Sequence, residues 1–272
     1  MELITAGLLG IVQGLTEFLP ISSSGHLILV HEFLDNASGS LAFDAVLHFA
    51  TSLAVVAYFR RDIFRMIKAV FAYFVGEGAD SREISLALAI AVATVPAAAL
   101  GVFLEDVIET SLRSGSVVLI ALVAGSIIMG IAEYAHGKRE RIPPVNTERM
   151  GWRAAALIGL FQSLALIPGM SRSGMAISGG MMMGLTRFEA SRFAFLIAVP
   201  LLLGAGVKKT IDLVLAGAPA FSALELAVGA AAAFIVGIFV VHYLLRFLQN
   251  HTLTVFIVYR LLLVLVIVLL ML

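Results

Sequence analysis

Six apolar stretches, each about 20 residues long, constrain what this chain can fold into more than any other feature of its sequence. A helix of that length crosses the hydrocarbon core of a bilayer, which is about 30 Å thick. Only 13% of the 272 residues are charged, against about 25% in an average soluble domain. We therefore predict an all-α integral membrane protein in which residues 1–272 form a single membrane domain. The six predicted transmembrane helices cover roughly 41–59, 84–104, 116–135, 188–207, 222–245 and 251–272.

Charge and cysteine content exclude several classes of function. The chain has 18 basic and 18 acidic residues, and they fall in short segments between the apolar stretches, so we expect no nucleic acid partner. Since there is no cysteine, disulfides, thiolate metal ligands and a thiol nucleophile are excluded. The first basic residue is Arg60, so the basic start of a signal peptide is missing. We expect the N-terminal segment to stay in the mature protein.

Two further apolar segments are too short to cross a bilayer and end at a proline. Residues 1–19 stop at Pro20, and residues 154–167 stop at Pro168. The 14 residues of the second segment reach only about 21 Å as a helix. Both segments restart as short helices after the proline, which predicts two re-entrant helix-loop-helix hairpins. Irregular backbone at membrane depth is tolerated only where protein or a water-filled cavity surrounds it, so we expect the functional site at these two breaks.

The segments around the two prolines belong to two copies of one internal repeat. Each copy continues with three long apolar stretches, and an odd number of spans places the second copy upside down relative to the first. We therefore predict an inverted-topology repeat, with repeat one over about 1–135, repeat two over about 150–272 and a basic cytoplasmic linker over 136–149. The matching segments are G-I-V-Q-G-L-T from residue 10 with G-L-F-Q-S-L-A from residue 159, P-I-S-S-S-G from residue 20 with P-G-M-S-R-S-G from residue 168, and F-D-A from residue 43 with F-E-A from residue 188.

Charged residues between the spans predict the orientation. Basic residues are concentrated at 60–68 and at 136–153, which the positive-inside rule places in the cytoplasm. The acidic segment 105–109 then lies outside, together with both termini. Lys208 and Lys209 fall on the outer side in this topology and are its exception.

The first break carries chemistry that is unusual for a membrane segment. Gln13 and Glu17 are four residues apart, so they face the same way near the end of a helix that Pro20 terminates. The run S-S-S-G-H follows at residues 22–26, and a serine there caps the start of a new helix. An ionisable residue inside a membrane segment indicates a functional site by default, which makes Glu17 a candidate.

The second break repeats this pattern with the opposite charge. Gly169 follows Pro168, and the run S-R-S-G follows at residues 171–174. An arginine inside a membrane segment costs about 3 kcal/mol on insertion scales. Its planar guanidinium suits phosphate oxygens, and we expect an anionic partner for Arg172.

Together, the two breaks supply the groups that phosphoryl transfer needs: a nucleophile, a proton carrier, a cationic clamp and a carboxylate for a divalent cation. Mg²⁺ commonly uses only one or two protein carboxylates beside substrate phosphate and water, so Glu17 alone fits a cation shared with the substrate. The predicted catalytic residues are Glu17, Ser23, His26 and Arg172, with Glu17 also as metal ligand. The predicted substrate-binding residues are Gln13, Ser22, Ser24, Gly25, Gly169, Ser171, Ser173 and Gly174.

Two sequence runs resemble the signature segments of a known family. They are Q-G-L-T-E-F-L-P-I-S-S-S-G-H at residues 13–26 and P-G-M-S-R-S-G at residues 168–174, and both resemble segments of the bacterial undecaprenyl-diphosphatase family, also called the bacitracin-resistance protein family. The resemblance implies hydrolysis of undecaprenyl diphosphate to the monophosphate and inorganic phosphate, which recycles the lipid carrier for cell-wall synthesis. It also implies a divalent cation, Mg²⁺ or Ca²⁺, and we expect the protein in the inner (plasma) membrane with its site facing the periplasm.

The resemblance also assigns single residues. His26 stands at the family's histidine, residues 22–23 at its serine pair and residues 171–173 at its Ser-Arg-Ser. Gln13 departs from the pattern, because many relatives have a second glutamate there, and this weakens a two-carboxylate metal site. Ala176 also departs, because the second motif usually has a threonine at that position.

Several alternatives stay open at this point. The nucleophile is either Ser23, with His26 taking its proton, or His26 itself. A secondary transporter or lipid flippase on the same inverted repeat is the alternative function, and a homodimer is the alternative to a single working protomer. Tyr259 and Arg260 either fix the last helix or reach the phosphate site.

Ionisable residues outside the breaks are expected to be structural. Glu189 and Arg192 are three residues apart, which predicts an ion pair on one helix. The remaining histidines lack both metal-ligand spacing and an acidic companion in the sequence. We interpret them as structural or interfacial: His31, His48, His136, His242 and His251.

Overall fold

The computed structural model describes residues 2–27, 40–78, 80–112, 114–138, 147, 150–215 and 221–271. Within these ranges no strand occurs, which confirms the all-α class. His31 and most of the predicted linker 136–149 lie outside the described residues. The helices are α1 (Leu3–Thr16), α2 (residues 23–27), α3 (Ser40–Tyr58), α4 (Arg60–Val75), α5 (Ser81–Phe103), α6 (Glu105–Ser111), α7 (Gly115–Lys138), α8 (Trp152–Ser163), α9 (Arg172–Met182), α10 (Arg187–Leu215), α11 (Ala223–Phe247) and α12 (Thr254–Met271), with a 3₁₀ turn at Leu164–Leu166.

Four helices are long and apolar enough to cross a membrane, namely α5, α7, α11 and Arg187–Lys208 of α10. A fifth span results if α3 and α4 count as one, although they meet at a bend of 74°. The predicted stretch 251–272 forms α12, whose 18 residues reach only about 27 Å. The described residues therefore support a membrane protein with four or five spanning candidates, where the sequence predicts six.

Both predicted breaks are present. α1 ends at Thr16, a turn covers residues 17–21, and α2 begins at residue 23. α8 ends at Ser163, the 3₁₀ turn follows, and α9 begins at Arg172. α1 and Trp152–Leu166 are both apolar but shorter than the helices that can cross a membrane. α1 thus ends four residues before Pro20, and the 3₁₀ turn after α8 ends two residues before Pro168.

Ser22 and Ser171 occupy matching places in the two breaks. Their φ angles are 76° and 74°, and no other non-glycine residue in the described ranges has a positive φ. Each serine hydroxyl accepts a hydrogen bond from the glycine N–H three residues later, at 3.4 Å from Gly25 and at 3.2 Å from Gly174. These bonds confirm the predicted serine caps and offset a backbone strain of about 1–3 kcal/mol for each residue.

Glycines place the two short helices directly against spanning helices. A Cβ added at Gly10 of α1 would lie 2.3 Å from the carbonyl oxygen of Gly229 on α11, and one at Gly14 would lie 2.8 Å from another carbonyl oxygen of that helix. A Cβ added at Gly159 of α8 would lie 2.3 Å from the carbonyl oxygen of Ala93 on α5. Only glycine allows such close backbone contact. Both short helices are therefore fixed against a neighbour up to the point where they break.

The expected ion pair between Glu189 and Arg192 is wrong. Arg192 donates instead to Asp62 Oδ1 of α4 at 2.7 Å. Glu189 accepts from the Thr147 hydroxyl at 3.0 Å. Spacing along one helix therefore did not decide the partners, because oppositely charged and polar groups on neighbouring segments lie closer.

Candidate active site

The two breaks meet at an ion pair between Glu17 and Arg172. Glu17 follows the last residue of α1, and Arg172 is the first residue of α9. Arg172 Nη1 donates to Glu17 Oε1 at 3.1 Å, and only 4% of the Glu17 side chain is exposed. A buried carboxylate is stable only with a cation and hydrogen-bond donors around it. This contact places the two breaks beside each other.

Three side chains surround the second carboxylate oxygen of Glu17. Ser23 Oγ donates to Oε2 at 2.7 Å, and Gln13 Nε2 donates to the same atom at 2.9 Å. His48 Nδ1, from α3, lies 3.1 Å from it. Gln13 and Ser23 are predicted members of this site. The interpretation of His48 as a histidine without an acidic companion is wrong.

His26 has a partner for each ring nitrogen. Nδ1 lies 2.7 Å from the backbone carbonyl of Ser22, which only accepts, so this nitrogen carries the proton. Nε2 then accepts from the Tyr259 hydroxyl at 2.7 Å, and the two rings stack with centroids 5.7 Å apart. The Ser23 hydroxyl donates to Glu17 rather than to His26. The structure thus differs from the expectation that His26 takes the Ser23 proton.

Two serines tie the breaks to each other. Ser24 Oγ accepts from the backbone N–H of Gly169 at 3.4 Å, and Ser173 Oγ donates to the carbonyl of Leu19 at 3.1 Å. Each bond crosses from one hairpin to the other. The loops are therefore held at a fixed separation, and the predicted substrate-binding residues Ser24, Gly169 and Ser173 lie together at one place.

Arg260 of α12 holds both loops from behind and is completely buried. Its guanidinium donates to the carbonyl of Pro20 in the first break at 3.4 Å and to that of Gly169 in the second at 2.9 Å. The guanidinium is occupied by protein acceptors, so Arg260 fixes the last helix instead of reaching the phosphate site. Its acceptors are the carbonyls of Pro20, Ala121, Leu122, Gly169 and Met170 and the Ser126 hydroxyl.

Comparison with known proteins identifies the family. A family model described as bacitracin resistance protein BacA matches residues 6–266. The chain belongs to the BacA family. It is similar to proteins named undecaprenyl-diphosphatase from Rubrobacter xylanophilus, with 43% identity over 96% of this chain and 95% of the relative, and from Geobacter sulfurreducens, with 42% identity over 96% of both chains. A relative of the same name from Chlorobium phaeovibrioides is 41% identical over 96% of this chain and 94% of its own length.

The site of this BacA-family protein offers few side-chain oxygen atoms that could bind a divalent metal ion. The described residues hold no cluster of three His, Cys, Asp or Glu side chains that could bind a metal ion. Glu17 supplies a carboxylate beside Gln13, whose Oε1 is buried without a hydrogen-bond partner in the described part of the chain. A divalent cation held by these two side chains would have to take its remaining ligands from phosphate oxygens and water.

Sequence reasoning missed two contacts of the BacA-family site. His48 and Tyr259 reach Glu17 and His26 from helices that are distant in sequence. The sequence did contain one signal for His48. It lies inside an apolar span, three residues before Thr51, and burying two polar side chains there costs free energy unless they find partners. That signal indicates a polar neighbour without indicating which one.

Proposed function

We propose that this chain is an undecaprenyl-diphosphatase, which hydrolyses undecaprenyl diphosphate to undecaprenyl phosphate and inorganic phosphate and so recycles the lipid carrier for cell-wall synthesis. The observation that carries the proposal is the contact of Glu17 with Arg172 at 3.1 Å, beside the Ser23 hydroxyl. This contact joins a base, a hydroxyl and a phosphate-binding cation inside an apolar protein. The names of the relatives support the same activity.

The proposed reaction begins at Ser23. Its oxygen attacks the terminal phosphorus, and Glu17 Oε2, 2.7 Å away, takes the hydroxyl proton. The new O–P bond forms while the bridging P–O bond breaks, and undecaprenyl phosphate departs with that proton. Water then attacks the phosphoserine, inorganic phosphate leaves, and Glu17 passes the water proton to the Ser23 oxygen.

Arg172 supplies charge stabilisation in both steps. One-third of its side chain is exposed, so the guanidinium can exchange the Glu17 contact for the oxygens of the transferring phosphoryl group. Arg172 also lies at the N-terminus of α9, whose first-turn N–H groups favour an anion. A divalent cation, Mg²⁺ or Ca²⁺, held by Glu17 and Gln13 together with the diphosphate, would neutralise further negative charge.

His26 is the second candidate nucleophile. In the Nδ1–H tautomer its free lone pair is on Nε2, which the Tyr259 hydroxyl occupies at 2.7 Å. An attack by His26 needs Tyr259 to move away first. Ser23 already faces a carboxylate base, and this difference favours Ser23.

The isoprenoid tail has an apolar surface beside the site. A groove of about 780 Å³ runs between α1, α11 and α12. Leu15 and Leu19, which flank Glu17 in sequence, are part of its wall. We propose that the substrate enters laterally, with its tail in the bilayer along this groove and its head between the two breaks.

The number of spans, the two hairpins and the membrane location are part of the same proposal. α3 and α12 would complete the six spans of two inverted repeats, and the two breaks would form the re-entrant hairpins. The bacterial inner membrane is the proposed location, with the site open to the periplasm, and a homodimer stays a prediction. Similar serine caps at Ser22 and Ser171 support a common origin of the two halves.

Phosphate release tests the activity directly. Purified protein in detergent is expected to release inorganic phosphate from undecaprenyl diphosphate. A chelator is expected to lower the rate at least about 10-fold, because the Glu17 carboxylate and the diphosphate are both anionic and a divalent cation would offset their repulsion. Adding back Mg²⁺ or Ca²⁺ should restore the rate. Transport of the lipid in vesicles without any phosphate release would favour the transporter or flippase instead.

Labelling tests the orientation in this cysteine-free chain. Ser23→Cys is expected to react with a membrane-impermeant maleimide from the periplasmic side, because the site opens to the periplasm in the proposed topology. Arg61→Cys, on the basic helix α4, serves as the control and should react only from the cytoplasmic side. Reaction of position 23 from the cytoplasmic side alone would contradict the orientation.

A further inference from the structure

His48 forms a closed triangle with Gln13 and Glu17. His48 Nδ1 lies 3.1 Å from Glu17 Oε2 and 2.8 Å from Gln13 Nε2, and Gln13 Nε2 lies 2.9 Å from the same Glu17 oxygen. The carboxylate only accepts hydrogen bonds, so both nitrogens donate to it. This requires the tautomer of His48 that carries its proton on Nδ1. The 2.8 Å between Gln13 Nε2 and His48 Nδ1 is then a contact between two donors that share one acceptor, and not a hydrogen bond.

The triangle is attached to α3 by a further side chain. Thr51 lies one helical turn after His48, and its hydroxyl lies 3.5 Å from Gln13 Nε2. The same hydroxyl donates to the backbone carbonyl of His48 at 2.9 Å. Thr51 and Gln13 are both fully buried. A third element, α3, therefore contributes to a site that the repeat assigns to two hairpins only.

The second repeat forms the same kind of break without the counterparts of Glu17 and His48. In the sequence alignment of the two copies, Gln162 matches Gln13 and Leu166 matches Glu17. Phe193 stands where the alignment from F-D-A and F-E-A places the counterpart of His48. The second hairpin still breaks and caps in the same way, although neither amide atom of the buried Gln162 has a hydrogen-bond partner in the described ranges. The polar triangle is therefore not required to build a hairpin.

We propose that His48 is a positioning residue for Glu17, and this inference rests on the proposed function. The Nδ1–H of His48 holds Oε2 beside the Ser23 hydroxyl, so that Oε1 stays directed at Arg172. A glutamate side chain has several rotatable bonds, and hydrogen bonds from its surroundings decide which orientation it keeps. His48 and Gln13 thus orient the Glu17 carboxylate together. No second carboxylate is needed for this.

Isosteric substitutions distinguish this role from a general structural one. The amide nitrogen of asparagine replaces Nδ1 of histidine, whereas that of glutamine replaces Nε2. His48→Asn is therefore expected to keep kcat within about 3-fold, and His48→Gln and His48→Ala to lower kcat about 10–100-fold with little change in KM. His242→Asn is the matched control, because that histidine contacts Tyr58 away from the site. Unchanged kcat in His48→Ala, or rescue by glutamine but not asparagine, would overturn the proposal.

A second measurement does not depend on activity. In protein labelled with ¹⁵N-histidine, the proton on Nδ1 of His48 is expected to give a signal that moves or disappears in Glu17→Gln and stays unchanged in Gln162→Leu. If the unaltered protein releases no phosphate but this signal responds to Glu17→Gln, the contact holds and the proposed function fails. A His48 signal from Nε2–H would refute the positioning role even in an active enzyme.

Discussion

Arg172→Gln is expected to release phosphate from undecaprenyl diphosphate about 10³-fold more slowly than the unaltered protein, because an arginine that stabilises a transferring phosphoryl group contributes about 10³–10⁵ in rate. Arg172→Lys should recover little of this loss, since an ammonium group lacks the planar fork of the guanidinium. Glu17→Gln should cause a loss of similar size, because an amide cannot take the Ser23 proton. Steady-state phosphate release measures all three variants.

The double variant separates a joint role from two independent ones. If Glu17 and Arg172 act as a unit across their 3.1 Å contact, the double variant should be about as slow as either single variant. Arg153→Gln is the matched control, because Arg153 lies over the Trp152 ring, outside the site. Thermal unfolding of each variant checks that the loss does not come from unfolding. Arg172→Gln with more than a tenth of the normal rate would contradict the proposed chemistry.

Arg260→Met is expected to have the largest effect on stability. Methionine fills much of the space but leaves the carbonyls of Pro20, Gly169 and Met170 without their donor. Removing one partner of a buried, hydrogen-bonded charge typically costs about 3–5 kcal/mol, which lowers the melting temperature by about 10 °C in a chain of this size. Thermal unfolding in detergent measures the shift, and phosphate release should fall as the loops lose their support.

Two comparison variants make the Arg260 prediction specific. Arg260→Lys should not rescue stability, because its three donors cannot replace the guanidinium donors that reach both breaks and α7. Arg246→Met removes an exposed arginine from the end of α11 and should leave the melting temperature within a few degrees. A stable and active Arg260→Met protein would show that the two loops are held by other contacts.

The sequence predicted the breaks and their convergence well, because both follow from local rules. The residue before a proline disfavours the helical region, which predicted the breaks near Pro20 and Pro168, and the matching segments around them predicted two similar loops. Arg172 was expected to have an anionic partner, and Glu17 is the acidic residue of the other break. Their 3.1 Å contact was therefore predictable without any knowledge of the other helices.

The remaining features depend on tertiary packing, which spacing in the sequence does not specify. His48 reaches Glu17 from α3, and Tyr259 reaches His26 from α12, so no local pattern links either pair. The ion pair of Arg192 with Asp62 formed in place of the local pair with Glu189 for the same reason. The span count also differed, because α12 has only 18 residues and because α3 ends at a bend of 74° before α4.

The position of Arg260 also has a consequence for biosynthesis. Both breaks leave the ribosome before α12 is synthesised. The carbonyls of Pro20 and Gly169 therefore lack the Arg260 guanidinium as a hydrogen-bond donor until that helix is made. We expect the loops to reach their final arrangement only when the last helix docks against α7. Assembly of the site would thereby depend on completion of the polypeptide, and a nascent chain that stops before residue 260 is expected to be inactive even if every predicted catalytic side chain is already inserted.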